Sequence, residues 1–556
     1  MKRKRILFGA VYSSIEPLGL FHLSALADRL DWDPHIRLVL DNDFSDFDDA
    51  VRELKPDIVG FTIYSGGHVA ICNYLKELKE KYPNIRTVVG GPHASYFPDT
   101  VANYVDSVVV GEGFTPLAWI LNDDAPTGVL ASENVMTFPI TYRKRFYEDY
   151  PVFRDNPIKN IITMTGCPFT CTYCYNSKRI FPFNRRNAKD VKAEIEQILQ
   201  LAPKTTMFSW QDDTLGAGEH KKFLEEFASF NMGLNCHGQT RWEIINPVED
   251  RGRQVLELLQ QIGFSGMTMA IESSIPVICN EVLNRKTDQK NIFNAVKWLS
   301  NMGFSLRTEQ ITGLPYGATS EKTLMNLDAD LDILRLNMDL YKQFGLPNMA
   351  WATSLIPYVG TVIADYCIKY GFATFKTVDN PELGYHERSR LRHLKEHIGS
   401  ELIARQHEDV WLSEDDQKTY RDRNAFVRDM FHVFCYMGWD DKALDIIETY
   451  LTCSDLSISS LNLILSVEYP YQVKACHKNL FKNTGGYDVK DFELFEKVGS
   501  FCALLPGDGK ELLRRFRTHL TDVNDVAMFS NVVKKYLFDT QVYKTGVECK
   551  CEVYRA

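Results

Sequence analysis

Strand-length apolar runs alternate with helical patterns along two stretches of this 556-residue chain, over residues 6–110 and again from residue 161. In the first, strands read as Ile6–Val11, Ile36–Leu40, Ile58–Ile63, Arg86–Val89 and Ser107–Val110. Helices fall between them near Gly19–Leu30, Asp46–Leu54, Val69–Tyr82 and Pro98–Asn103. In the second, strands fall near 161–164, 206–211, 234–240, 267–272, 305–311 and 349–355, with helices near 188–200, 218–230, 251–262, 287–302 and 319–337. Such βα alternation predicts parallel sheets with right-handed crossovers, a doubly wound α/β arrangement in the first stretch. Ligands of these sheets bind beyond the carboxyl ends of the strands, so the residues there are the candidates for function.

The end of the first strand in the second stretch reads Thr165-Gly166-Cys167-Pro168-Phe169-Thr170-Cys171-Thr172-Tyr173-Cys174. Random placement of the chain's 13 cysteines over 556 positions gives such a triplet at about 0.007 places. Thiolates are soft ligands, which points to zinc or iron–sulfur binding. A structural zinc site wants four protein ligands, yet no histidine lies between Met164 and Lys189. A [4Fe–4S] cluster has four irons, so three cysteines leave one open to a small molecule. Gly166 and Pro168 favour an irregular loop in which three side chains can converge. A zinc knuckle stays open as the other reading of these residues.

CxxxCxxC with an aromatic before its last cysteine resembles the radical SAM enzymes. The resemblance implies a partial (β/α)6 barrel, a [4Fe–4S] cluster on Cys167, Cys171 and Cys174, and S-adenosylmethionine (SAM) on the open iron with Tyr173 near its adenine. Further SAM-binding positions follow by likeness at other strand ends. Trp210-Gln211-Asp212-Asp213 stands where the family often has Gly-Gly-Glu, and Gln239-Thr240-Arg241 ends the third strand. Ala270-Ile271-Glu272-Ser273 resembles the GxES segment, and Gly313-Leu314-Pro315 the GLP turn near adenine. Pro357-Tyr358-Val359-Gly360-Thr361 resembles PxPGT, with Val359 in place of proline. The candidates are thus Tyr173, Asp212, Gln239, Arg241, Glu272, Ser273, Gly313 and Leu314. From residue types alone, Asp212 and Asp213 could instead cap a helix, and Glu272 could pair with Arg241 as a barrel salt bridge.

In the first stretch, Glu16-Pro17-Leu18-Gly19, Tyr64-Ser65-Gly66-Gly67-His68, Gly90-Gly91-Pro92-His93 and Gly111-Glu112-Gly113 follow strands. Glycines there let backbone approach a bulky ligand. As a set they resemble the cobalamin-binding domain found ahead of many radical SAM domains. That resemblance implies cobalamin contacts at Glu16, Leu18, Gly19, Ser65, Gly90, Gly91, Pro92, Gly111, Glu112 and Gly113. The DxHxxG motif does not occur in residues 1–120, so cobalt would have no histidine below it.

Residues 121–158 lose the strand–helix rhythm and read as a linker, with the basic run Tyr142-Arg143-Lys144-Arg145-Phe146-Tyr147 as a solvated surface. The expected division is 1–120 flavodoxin-like domain, 121–158 linker, 159–375 barrel and 376–556 a mostly helical region that selects substrate. Cys435, Cys453, Cys476 and Cys502 are dispersed through that last region, whereas Cys549 and Cys551 form a CxC near its end, without the four-ligand spacing of a second cluster.

A net charge of −10 argues against a general nucleic-acid binder. The basic start runs straight into a strand-length apolar segment, too short for a signal sequence. No apolar run approaches a membrane span, and 13 cysteines then suit a reducing cytoplasm. The resemblance implies that reduced cluster cleaves SAM to a 5′-deoxyadenosyl radical, and that methylcobalamin supplies a methyl group to an unactivated carbon of a small-molecule or peptide substrate. An external flavodoxin- or ferredoxin-type donor would provide electrons. Oxidation, rearrangement or cyclisation without methyl transfer is the enzymatic alternative. A cobalamin- or redox-sensing protein is the non-enzymatic one.

Overall fold

The computed structural model describes residues 3–370, apart from 14, 41, 66, 134–136, 179, 182, 317–319, 356 and 359, together with Phe431. The expected helical region over 376–556, with its six cysteines, otherwise lies outside the described residues, as do Gly66 and Val359.

Strands β1 (Arg5–Val11), β2 (Asp33–Val39), β3 (Ile58–Thr62), β4 (Arg86–Gly90), β5 (Ser107–Val110) and β6 (Gly128–Ala131) form one parallel sheet. Their order is β2-β1-β3-β4-β5-β6, which places the topological switch point between β1 and β3. Both faces are covered, which explains the unbroken apolar runs. Ile6, Phe8 and Ala10 pack with Phe21, Leu117 and Ile120 on one side. Leu7 packs with Val59, Ile71 and Leu75 on the other.

The structure differs from the sequence reading in several places. Residues 128–131 of the expected linker are β6, paired with β5 from Ser107↔Gly128 to Val110↔Ala131. Only Leu130 of its four residues is buried, so no alternation marks it in sequence. The helix expected at Pro98–Asn103 is a single 3-10 turn, Pro98–Thr100, preceded by a helical turn at Pro92–Tyr96.

The second sheet contains β7 (Ile158–Ile161), β10 (Met207–Trp210), β11 (Cys236–Thr240), β12 (Phe264–Glu272), β13 (Ser305–Thr312) and β14 (Met349–Ser354). All neighbours are parallel, in the order β14-β13-β12-β11-β10-β7. Its edges β7 and β14 do not pair, which leaves a six-stranded partial barrel. The strand expected at 161–164 ends at Ile161. Beyond it, β8 (Met164–Thr165) pairs antiparallel with β9 (Asn184–Arg185) and closes the base of the cysteine loop. Helices at Ala188–Leu201, Asp250–Ile262 and Gln289–Asn301 bury Ile195, Leu256, Leu259, Val296 and Leu299 against the sheet's outer face.

A buried ionic joint ties the two sheets together. Arg143, fully buried, donates to Glu16 (2.9 Å) after β1, to Glu194 (3.0 Å) on the first barrel helix and to the Asn160 carbonyl (2.8 Å) of β7. Glu16 also accepts from the Tyr147 hydroxyl (2.6 Å) and the Asn160 amide (2.9 Å). Arg186 completes the joint on Glu194 at 2.5 Å. Two cations balance two carboxylates, and each acid has several donors, the condition under which buried charges persist. Two expectations are corrected here. Arg143 belongs to the interior, not to a solvated surface. Glu16 is taken up by the joint, so its carboxylate is not available to a cofactor.

Candidate active site

The cysteine loop is held on every side. Thr172 donates through its amide to the Leu283 carbonyl (3.1 Å) and through its hydroxyl to that of Val282 (2.6 Å). The Ile363 amide donates to the Thr172 carbonyl (3.1 Å), and the Asn284 side chain donates to Thr170 (2.9 Å). Cys171 is buried, whereas Cys167 and Cys174 are half-buried, and all three are free thiols. Among the described residues no three His, Cys, Asp or Glu side chains close on a single-ion point. The donor set, three soft sulfurs on one loop with an arginine against one of them, fits an iron–sulfur cluster.

Asp212 does not face that loop's ligand side. It is fully buried, and its Oδ1 accepts from the amides of Thr163 (2.6 Å) and Met164 (3.1 Å), its Oδ2 from the Thr163 hydroxyl. It caps no helix; it pins the chain where the cysteine loop leaves β7. Asp212→Ala strands two buried amides, each costing about 1–3 kcal/mol. Thermal scans should show a lowered midpoint, and iron retained per chain after reconstitution should fall.

Tyr173 and Glu272 are brought together. The Tyr173 hydroxyl donates to Glu272 Oε1 (2.7 Å) and accepts from Arg285 Nη1 (2.6 Å), which also reaches Glu272 at 3.3 Å. Burial pushes the Glu272 carboxyl up, and Arg285 restrains the rise. Glu272 pairs with Arg285, not Arg241. A bulge between Ala270 and Glu272, with Glu272 at φ 65°, re-aims this side chain at the strand end. Bulges and left-handed non-glycine residues gather at functional sites. Sequence reasoning missed Arg285, which comes from an aperiodic loop after the π-helical turn Ile278–Val282.

Tyr173 and Glu272 line a cavity of about 360 Å³ with Arg307, Glu309, Ile311, Trp351, Leu355 and Tyr358 among its walls. That size suits a small molecule. Arg307 and Glu309 form an ion pair at 2.7 Å inside it. Their signal was legible: β13 alternates half-buried and buried residues, with both charges on one face.

The remaining SAM candidates are spread around it. Gln239 is exposed, Leu314 is buried in an apolar cluster, and the Ser273 hydroxyl accepts from the Ile275 amide at 3.2 Å. Arg241 lies against Cys171. The Gly313 amide, at φ 71°, donates to both oxygens of Asp330 (3.2 and 3.1 Å). Burial pushes the Asp330 carboxyl up to about 8 from 3.8. A raised folded-state value stabilises below the unfolded one and loses that contribution as pH climbs toward the folded one. Asp330→Asn should therefore raise the thermal midpoint at pH 7–8, with the gain vanishing near pH 4, in scans across that range.

In the first sheet, Leu18 and Gly19 follow β1, Ser65 follows β3, Gly90, Gly91 and Pro92 end β4, and Gly111, Glu112 and Gly113 follow β5. All stand at the carboxyl edge of the sheet, those after β1 and β3 flanking the switch point and those after β4 and β5 one and two strands further along. Gly91 is at φ 92°, and a Cβ there would lie 2.5 Å from Thr62 Oγ1, so only glycine fits. Nothing lies within 4 Å of a Cβ built on Gly19. Glu112 Oε1 accepts from the Phe114 amide (2.6 Å), while Oε2 is buried without a hydrogen-bond partner among the described residues. A buried acceptor left open at such a strand end fits a ligand rich in amide donors, as the rim of a corrin is. The His93 ring is engaged at both nitrogens, by Ser65 Oγ (2.8 Å) and Thr100 Oγ1 (2.9 Å), and stacks on His68 at 3.6 Å. His93 thus steadies Ser65.

Two family models match the chain: the B12 binding domain over residues 4–121 and the Radical SAM superfamily over residues 161–324. The chain is a cobalamin-dependent radical SAM enzyme. Its cofactors are accordingly a [4Fe–4S] cluster, SAM and cobalamin. An uncharacterised methyltransferase of Pyrococcus horikoshii is 25% identical over 379 residues, covering 63% of this chain and 78% of the relative. The cytidylyl-2-hydroxyethylphosphonate methyltransferase of Streptomyces wedmorensis is 21% identical over 435 residues, covering 64% and 78%. Among solved structures, the radical SAM methyltransferase TsrM of Kitasatospora setae, with tryptophan and a SAM analogue bound, matches with a TM-score of 0.51 at 14% identity. That match covers 67% of this chain and 77% of TsrM, and it shows a shared fold. The radical SAM enzyme described here has, among its described residues, no helix long and apolar enough to cross a membrane.

Proposed function

We propose that this radical SAM enzyme methylates an unactivated carbon of a peptide or natural-product-like small molecule. The observation that carries the reading is where the two domains touch. Tyr96, after β4, stacks on Tyr175, one residue past Cys174, at 4.2 Å, and its hydroxyl donates to the Tyr175 carbonyl at 3.0 Å. Gly111, after β5, would set a Cβ 3.3 Å from the Ile180 carbonyl. The strand-end loops of the first domain therefore abut the cysteine loop, and a substrate between them meets both cofactor sites.

When bound, SAM and cobalamin supply the radical and the methyl group. The chain's residues bind and orient. Cys167, Cys171 and Cys174 hold the cluster; Tyr173 and Glu272, fixed by Arg285, face SAM, and the Gly313 turn is set by Asp330. Ser65, Gly90, Gly91, Pro92, Gly111, Glu112 and Gly113 receive cobalamin, with Leu18 and Gly19 across the switch point. In this reading residues 1–120 carry cobalamin, 121–158 connect, 159–375 form the barrel and 376–556 select the substrate. A flavodoxin- or ferredoxin-type protein in the cytoplasm is the electron donor, and nucleic acid is not a partner.

The test is anaerobic purification followed by assay of iron, sulfide, corrinoid and 5′-deoxyadenosine, with product mass from candidate acceptors. A gain of one CH₂ supports methylation. Loss of hydrogens instead would replace the proposal with oxidation or cyclisation.

A further inference from the structure

Arg241 lies against one sulfur of the cysteine loop. Its Nη1 donates to Cys171 Sγ at 3.0 Å, and both residues are buried, at 6% and 7% exposure. The guanidinium is fixed from three further directions. Its Nη2 donates to the Arg285 carbonyl (2.6 Å), and Nε and Nη2 form a fork on Glu243 at 3.1 and 3.0 Å. Its plane lies 3.8 Å from the centre of the Phe169 ring, inside the cysteine loop. Glu243 is steadied in turn by the Thr287 hydroxyl at 3.1 Å. So much anchoring at a barrel strand end, aimed at one ligand sulfur, exceeds what a surface-independent ion pair requires.

We propose that Arg241 stabilises the reduced cluster by donating a charged hydrogen bond to the Cys171 thiolate, and that Glu243 tempers that effect. Reduction adds one electron from a low-potential donor and neither makes nor breaks a bond. The added negative charge spreads onto the ligand sulfurs, where a donor and a positive charge in a dry site lower its energy. Hydrogen bonds to sulfur and local charge are two of the means by which a protein tunes such potentials. Arg241 thereby acts through Cys171 as a positioning and tuning residue. It does not have to touch SAM.

This rests on the cysteine loop holding a cluster, and the test separates the two. Reconstituted full-length protein is titrated with dithionite, and reduced cluster is followed by electron paramagnetic resonance, without SAM or methyl acceptor. Arg241→Met keeps an apolar stem over Phe169, and its midpoint should move to more negative potential. Glu243→Gln leaves the guanidinium uncompensated, and its midpoint should move to more positive potential. Opposite signs are the signature, since a merely structural loss would shift or broaden both alike. Potentials unchanged in both variants, or moved in one direction, overturn the proposal while leaving the family assignment intact. If Arg241→Met does not retain iron, the Glu243→Gln shift alone decides. Wild-type protein that retains no iron would instead sink the reading of the loop.

Discussion

Replacing Cys171 with alanine is expected to reduce 5′-deoxyadenosine release to the level of a protein-free control and to deplete iron, while corrinoid binding stays at the wild-type level. The asymmetry follows from where the residue sits. Cys171 contributes one of three sulfurs in a loop that contains no other thiol, imidazole or carboxylate between Gly166 and Cys174. The charged group beside it, Arg241, is a cation and cannot take over iron binding. Without Cys171 a second iron loses its protein ligand, and a cluster held by two cysteines is not retained. The cobalamin candidates lie on a separate sheet with its own two-sided core, so corrinoid binding is an internal control for folding. Cys171→Ser preserves volume and should give the same loss. Equal SAM cleavage by either variant would show that the loop does not hold the reacting cluster.

The second large effect concerns the joint between the sheets. Arg143→Met keeps the length of the side chain but leaves Glu16 without its arginine and Glu194 with Arg186 alone. Removing one partner from a buried ionic group costs about 3–5 kcal/mol. Lysine would not rescue it, because a point charge cannot reach Thr141, Glu16, Glu194 and the Asn160 carbonyl together as the planar fork does. Denaturant unfolding followed by domain-specific probes should show the two halves separating into distinct transitions. The effect has a pH signature. Burial pushes the Glu194 carboxyl up, but Arg186 and Arg143 more than offset it and hold it at about 2, below the usual 4.5. Burial pushes the neighbouring His22 imidazole down to about 4 from 6.5. Both depressed groups give stability that is present above the unfolded value and lost as pH falls through the folded one. Acid should therefore weaken the joint first between pH 6.5 and 4 through His22, then between 4.5 and 2 through Glu194. The gap between wild type and Arg143→Met should shrink across the second window. A single shared transition in the variant, or a gap that ignores pH, would refute this account.

Elements with a strong apolar pattern were legible in sequence, and Ser107–Val110 begins and ends where its run does. β6 was not, because an edge strand with one buried residue owes its existence to β5 rather than to its own composition. The basic run at 142–147 looked like surface because charge normally seeks water. What buries Arg143 is a pair of carboxylates 127 residues before it and 51 after it, a distance no local pattern spans. The charge of Glu272 at a strand end was readable, but its partner Arg285 was not, since the loop that brings it carries no periodic signal. Asp212 was assigned to the right place and the wrong neighbour: its strand end is correct, and its carboxylate turns inward to backbone amides. Local chemistry therefore located the strand ends, and long-range closure decided which side chains remain there for ligands.

The joint of Glu16, Arg143, Glu194 and Arg186 also limits how this protein can be recombined. Its four members come from the first domain, the connection and the barrel, and Arg143 bridges both carboxylates, so any single cut between residues 16 and 194 breaks at least one of its ion pairs. A chimera that exchanges the B12-binding half alone inherits an unmatched carboxylate or guanidinium at its seam, whatever the quality of its cofactor loops. Cassettes cut after residue 143 carry Glu16 with its arginine, yet part Glu194 from the Arg143 it was built against and leave it with Arg186 alone. Functional exchange between members of this fold thus requires the seam residues to travel as a set, a constraint on modularity that sequence identity alone does not reveal.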